Sequence, residues 1–212
     1  KKKIGPNNNI ENPNDNESQI LNSREIENYT KIKHPFIANF YGTVKDTNHL
    51  IIEYINGNTL SNIASFHFYS TEKIILILEL ILIFQYICDE NYIYRDLKPS
   101  NVMIDKNKTL VLIDFNRMIK LSNDGIQTND FTAGFSAPEI QFGKATEKSD
   151  VYSLGQMIYF IINEEIPQKE KKFKKMEIKY QKIYEMCTDI NPEKRPSIFK
   201  LFCEIFFAAI SN

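Results

Sequence analysis

The stretch Tyr92–Asp105, YIYRDLKPSNVMID, constrains the fold more than any other part of the chain. Arg95, Asp96, Lys98 and Asn101 stand in one short run, with apolar residues against both ends. Polar groups so close to a core survive only with partners in place, so the fold must pin this loop at both ends. Pro99 stiffens it further. A carboxylate, an ammonium and an amide in fixed register suit chemistry at a phosphate ester. Such a reaction needs a base beside the attacking hydroxyl, a cation on the transferring oxygens and an oxygen ligand for a hard metal ion. Asp96 is the candidate base, Lys98 the candidate phosphate contact and Asn101 the candidate metal ligand. Asp114, at the end of the next apolar run in LIDFN, is a second candidate ligand.

Composition limits the alternatives. The 212 residues are 42% hydrophobic and 25% charged with a net charge of -1, which is globular and gives no general attraction for nucleic acid or anionic membrane. The three cysteines, Cys88, Cys187 and Cys203, are odd in number and widely spaced, so free thiols in a reducing, cytoplasmic compartment are expected. The histidines lack zinc-ligand spacing. IILILELILIFQYI, from Ile74 to Ile87, falls short of the roughly 20 apolar residues of a membrane span and carries Glu79 and Gln85, so it reads as a core helix. KKKIGPNNNIENP has no apolar signal region.

Residues 5–19 are asparagine-rich and read as a loop. Ile20, Leu21, Ile26, Tyr29 and Ile32 follow at helical spacing, and His34-Pro35 closes that helix. FIANFYGTVKDTNHLIIEYI predicts two strands around a turn at Asp46–Asn48. The long apolar helix should start with Ser70 as its cap and Glu72 in its first turn. VMID and KTLVLIDF predict a hairpin, and helical patterns dominate from Thr146 to the apolar SIFKLFCEIFFAAI. Phe66, Phe68 and Tyr69 are read as packing beneath the long helix.

YRDLKPSN, IDF, SAPE, SDVYSLG and PEKRPS, in that order, resemble the protein kinase catalytic core. The likeness covers about Ser18 to Ile210. It implies an α+β, two-lobed fold in one domain, with a small, incomplete β-rich lobe over residues 1–55 and a helical lobe over 56–212. The implied activity is transfer of the γ-phosphate of ATP to serine or threonine of protein substrates, with Mg2+ as cofactor. Asp96 then matches the catalytic aspartate, Lys98 the γ-phosphate contact, and Asn101 and Asp114 the two magnesium ligands. Ile52 matches the residue guarding the adenine pocket, with the Glu53 carbonyl and the Ile55 amide binding adenine. Glu25 matches the helix glutamate that pairs with a strand lysine. Thr128 matches the activation-loop phosphosite that Arg95 would bind, and Thr132 the threonine touching the catalytic aspartate. Glu139 and Arg195 resemble a buried ion pair, and Asp150 the brace of the catalytic loop. Tyr29, Phe40, Tyr94 and Phe115 fall where the family stacks an apolar spine. Tyr94 stands where histidine is commoner.

Three departures qualify the resemblance. No G-x-G-x-x-G phosphate loop is present. KKKI resembles the end of the strand carrying the ATP-contacting lysine, which makes Lys2 the best match, with Lys1 and Lys3 competing; the sequence would then begin inside that strand. Asn116 replaces glycine after Asp114-Phe115, and since asparagine tolerates left-handed angles the turn should survive. The lysine-rich span from Pro167 to Tyr184 is short; it reads as a solvated face or as a surface for acidic partners. The missing loop and Asn116 motivate the alternative of a pseudokinase, a nucleotide-binding or scaffold module.

Overall fold

The computed structural model describes residues 23–45, 49–121, 132, 134–168 and 178–211. Helix α1 occupies residues 23–31 and ends ahead of His34-Pro35, as the restriction before proline requires. Strands β1 (Phe40–Thr43) and β2 (Leu50–Ile52) pair antiparallel as expected, with a bulge between Phe40 and Gly42; the turn expected at Asp46–Asn48 lies outside the described residues. Strands β3 (Gly57–Thr59), β5 (Val102–Asp105) and β6 (Leu110–Leu112) form a second antiparallel sheet, in which β5 and β6 are the expected hairpin. Two-residue strands β4 (Tyr92–Ile93) and β7 (Ile119–Lys120) pair on either side of the central loops. A parallel bridge from Ile37 to Leu112 ties the front segment to this hairpin.

Four helices make the larger part: α2 (Ser70–Asp89), α3 (Glu147–Asn163), α4 (Ile178–Cys187) and α5 (Ile198–Ile210). The small antiparallel strands of the described front segment and these helices behind them give the α+β class. Helix α2 packs against α3 and α5 and buries Leu76, Ile77, Leu80, Ile81, Ile83, Phe84 and Ile87. Burial of side chains of this size favours folding by about 1.5–3 kcal/mol each, which explains a helix with so little polar surface. Among the described residues no helix is long and apolar enough to cross a membrane. Ser70 is the first helical residue rather than the cap. Tyr69 holds the cap position and its N–H donates to the Glu72 carboxylate at 2.8 Å, so the acidic first-turn residue does the capping. Phe66 and Phe68 stack at 5.3 Å against the core, while Tyr69 is exposed under the Lys108 ammonium.

Two glycines are demanded by close approach. A Cβ on Gly57 would lie 1.9 Å from the Ile104 carbonyl oxygen across the β3–β5 pair. One on Gly155 would lie 2.6 Å from the Cys187 Cβ, so α3 and α4 could not pack as they do. The main buried cluster runs continuously from Tyr29 to Ile205, and the catalytic-type loop threads it at Tyr94 and Leu97.

Candidate active site

The loop after β4 turns inward at Arg95, whose φ of +69° is in the left-handed region. Asp150, in the first turn of α3, accepts the backbone N–H groups of Tyr94 and Arg95 at 2.7 and 2.9 Å. Burial pushes the Asp150 carboxyl up to about 6, against those two donors. A folded-state value above the unfolded one means that folding takes up a proton between about pH 4 and pH 6. Stability from this group is full below that window and is lost as pH rises through it. Asp150→Asn, which cannot titrate, is therefore expected to look more destabilising at pH 5 than at pH 7. Urea unfolding at both pH values checks this, and an unchanged difference would contradict it.

Asp96 is almost wholly buried and fully engaged. Its Oδ2 accepts Lys98 Nζ at 2.7 Å and Asn101 Nδ2 at 3.1 Å, and its Oδ1 accepts Thr132 Oγ1 at 2.8 Å. Asn101 Nδ2 also donates to the Asp96 carbonyl at 2.9 Å, closing the loop on itself. Arg117 Nε lies 4.0 Å from Asp96 Oδ2. Lys98 is partly exposed, so its ammonium lies between the buried carboxylate and solvent.

The Asp114 turn is stitched to this loop. Ile113 N–H donates to the Asn101 carbonyl at 3.0 Å, and Tyr94 Oη donates to the Ile113 carbonyl at 2.6 Å. Arg95 Nε donates to the Arg117 carbonyl at 2.7 Å. Tyr94 thus has a hydroxyl task in place of an imidazole one, and its ring meets Phe84 and Phe115 edge-on. The rings of Phe40, Tyr29, Phe115 and Tyr94 form the expected continuous stack, with successive centroids 6.0, 4.9 and 5.5 Å apart. The left-handed residue of the triplet is Asp114, at φ +64°, whereas Asn116 is not left-handed. The expectation for Asn116 is therefore corrected. Aspartate also tolerates this region, so the turn needs no glycine two residues later.

Burial raises the Asp114 carboxyl above its ordinary range; the charge on Asp96 adds to this, and the Asn116 N–H opposes it. Glu25 on α1 is likewise raised, by burial first and then by Asp114, while it receives the Phe115 N–H. Asp96, Asp114 and Glu25 thus gather negative charge around one turn, which a divalent cation would relieve. Asn101 donates through its amide nitrogen, and its Oδ1 takes only a long 3.5 Å contact from Ser100. One carboxylate and one amide oxygen fit a magnesium ion, which takes few protein ligands and completes its shell with phosphate and water. Among the described residues no group of three or more acidic, histidine or cysteine side chains forms a closed metal cage.

The other predicted positions sort as follows. Arg195 clamps Glu139 with NH1 to Oε1 at 2.6 Å and NH2 to Oε2 at 2.9 Å. Glu53 is held by Asn39, whose N–H and Nδ2 both donate to its Oε2. The backbone bonds made nearby use the Glu53 N–H and the Ile55 carbonyl, the opposite groups to those an adenine would take. Ile52 ends β2, partly exposed beside them. Lys2 and Thr128 lie outside the described residues.

Sequence reasoning missed Asn28. Its Nδ2 donates to the Phe115 carbonyl at 2.7 Å and the Met118 carbonyl at 2.8 Å, from a fully buried position on α1. The available signal was an asparagine inside the stripe Glu25, Tyr29 and Ile32. Asn28→Leu strands two buried carbonyls and is expected to cost about 1–3 kcal/mol in urea unfolding. A loss below about 0.5 kcal/mol would contradict the clamp. Ser149 and Lys148 were also missed; they bond Glu139 and the Arg195 carbonyl.

Comparison with known proteins bears on the family of the chain. A family model described as a protein kinase domain matches residues 3–207. The chain is 27% identical to 3-phosphoinositide-dependent protein kinase B of Dictyostelium discoideum, over 92% of its own length and 26% of that protein. It is 27% identical to the serine/threonine-protein kinase PrkC of Bacillus subtilis, over 73% of its length and 25% of that protein. It is 30% identical to a cAMP-dependent protein kinase catalytic subunit of Arthrobotrys oligospora, over 67% of its length and 30% of that protein. The chain therefore spans between a quarter and a third of these curated relatives. A model that spans nearly the whole sequence, and a loop and turn that meet as described, place the chain in one family: it belongs to the protein kinase domain family.

Proposed function

We propose that this domain is a protein serine/threonine kinase that transfers the γ-phosphate of ATP to hydroxyls of protein substrates. One observation carries the reading: a single buried carboxylate, Asp96, is held at once by Lys98, Asn101 and Thr132. A carboxylate so fixed can take the proton of an incoming hydroxyl while its oxygen bonds to phosphorus and the bond to ADP breaks. Lys98 then shifts from Asp96 toward the transferring phosphoryl oxygens. Thr132 keeps the Asp96 rotamer, and with Lys98 it supports serine/threonine over tyrosine specificity through the family likeness.

Asn101 and Asp114 would hold Mg2+. When bound, that ion neutralises charge on the phosphates as transfer proceeds. The backbone at Glu53 and Ile55 would take adenine beside Ile52, with the Glu53 carbonyl and the Ile55 N–H turning to the base. Glu25 would orient a strand lysine, for which Lys2 is the candidate. Arg95 would meet a phosphate on Thr128. The odd number and wide spacing of the three cysteines fit a reducing, cytoplasmic setting.

The test is incubation with γ-labelled ATP, Mg2+ and a mixed protein substrate, followed by phosphoamino-acid analysis. Label on serine and threonine, lost in Asp96→Asn, is expected. Label on tyrosine alone, or equal label with the variant, would overturn the reading.

A further inference from the structure

A cavity of about 230 Å³ opens directly beside the candidate base. Lys98 and Thr132 form one side of it, and both donate to the Asp96 carboxylate. A polypeptide presenting a hydroxyl to Asp96 therefore lays a neighbouring side chain across this opening. The volume lies below the roughly 300 Å³ at which pockets for drug-sized ligands begin, so one large side chain fills it.

The far walls are apolar. Phe135 and Phe160 meet edge-on with centroids 6.2 Å apart, and Ile166 lines the rim although it is 58% exposed. These walls are preset: Ser153 Oγ donates to the Phe135 carbonyl at 2.9 Å, and Phe160 is buried on α3. Ser61 and Ser100 supply hydroxyls at the rim, and among the described residues no carboxylate lines the cavity. The acidic side chains close to these lining residues along the described chain are already engaged: Asp96 with Lys98 and Thr132, Glu164 with Lys73 and Glu165 with the Tyr159 hydroxyl. A guanidinium or ammonium placed there would lose water and face the Lys98 ammonium, while the Asp96 carboxylate behind it is already bonded through both oxygens. A carboxylate would draw Lys98 away from Asp96.

We propose that this cavity selects protein substrates carrying a large apolar side chain close to the acceptor hydroxyl, and disfavours basic ones. The proposal rests on the kinase reading above and adds the substrate class.

The test uses the full chain and a serine/threonine peptide library in which each position flanking the acceptor is set in turn to Leu, Phe, Arg or Asp. One position is expected to favour Leu or Phe over Arg by about tenfold in kcat/KM. Ser100→Glu places a carboxylate on the exposed rim and is expected to bring that ratio near unity by improving the Arg peptide; Ser61→Glu serves as the second variant. A flat profile, a preference for Arg or Asp in the parent, or an unchanged ratio in both variants would overturn the proposal.

A second arm measures binding of the same peptides with the acceptor replaced by alanine, by fluorescence anisotropy. It reads the cavity even if no phosphate is transferred: tighter binding of the Leu peptide supports the cavity assignment, and equal binding refutes it. Absence of phosphorylation in every peptide would instead count against the kinase reading.

Discussion

Replacing Arg195 by alanine is expected to lower the unfolding free energy by about 3–5 kcal/mol, the largest single loss on the molecule. The guanidinium side chain is fully buried and makes a two-pronged bond to Glu139. Its Nε donates to the Asp189 carbonyl and its NH1 also to the Lys148 carbonyl, each at 2.9 Å. The plane of the group lies over the Tyr152 ring, 5.0 Å from its centre. Burial alone would push the Glu139 carboxyl up, but the bonds from Arg195 and Ser149 outweigh it and hold the carboxyl below its ordinary value. Removing the cation leaves that largely buried carboxylate with only the Ser149 hydroxyl as a side-chain donor, which is where most of the loss arises. Arg195→Lys recovers only part of it, because one ammonium cannot reproduce a planar fork. The effect reaches the site, since Glu139 anchors the segment that leads back through Ser136 to Thr132. Thr132 N–H donates to Ser136 Oγ at 2.7 Å, and Ser136 N–H returns to the Thr132 carbonyl. Urea unfolding of Arg195→Ala measures the loss, and a value below about 1 kcal/mol would contradict the clamp.

Asp96→Asn is expected to reduce kcat by about 10²–10⁴, the range a positioned general base contributes. The substitution should leave the loop standing. An asparagine Oδ1 in place of Oδ2 still accepts Lys98 and Asn101, and its Nδ2 can donate to Thr132 Oγ1, which then reverses its role. Only proton acceptance is lost. Steady-state kinetics with unfolding midpoints as a control separates the two effects. A kcat within tenfold of the parent would place the base elsewhere.

The readable part of this chain is the part where chemistry and chain order coincide. Asp96, Lys98 and Asn101 sit close together in one loop, so their meeting was legible before any fold was known. Asp114 was legible because a predicted strand delivers it, whereas Asp150 was marked only by the resemblance of SDVYSLG to the kinase pattern. Asn28 was not, because its partners lie 87 and 90 residues away and nothing local marks an asparagine as a clamp. The triplet turn was read by matching glycine with Asn116, whereas the backbone places its left-handed angle on Asp114. The cap of α2 moved by one residue because Glu72, a side chain from inside the helix, satisfies the Tyr69 N–H. The cavity beside Lys98 could not be read at all, since its walls come from four segments that meet only in the folded chain.

The central claim is that the Asp96 loop and the Asp114 turn converge to hold a metal–nucleotide complex. Calorimetric titration of ATP into the parent protein and Asp114→Asn, each with and without Mg2+, tests it most directly. Mg2+ is expected to tighten ATP binding to the parent by about tenfold or more, and Asp114→Asn to abolish this gain while the fold persists. ATP affinity that is indifferent to Mg2+ in the parent, or an Mg2+ gain that survives in Asp114→Asn, would contradict it.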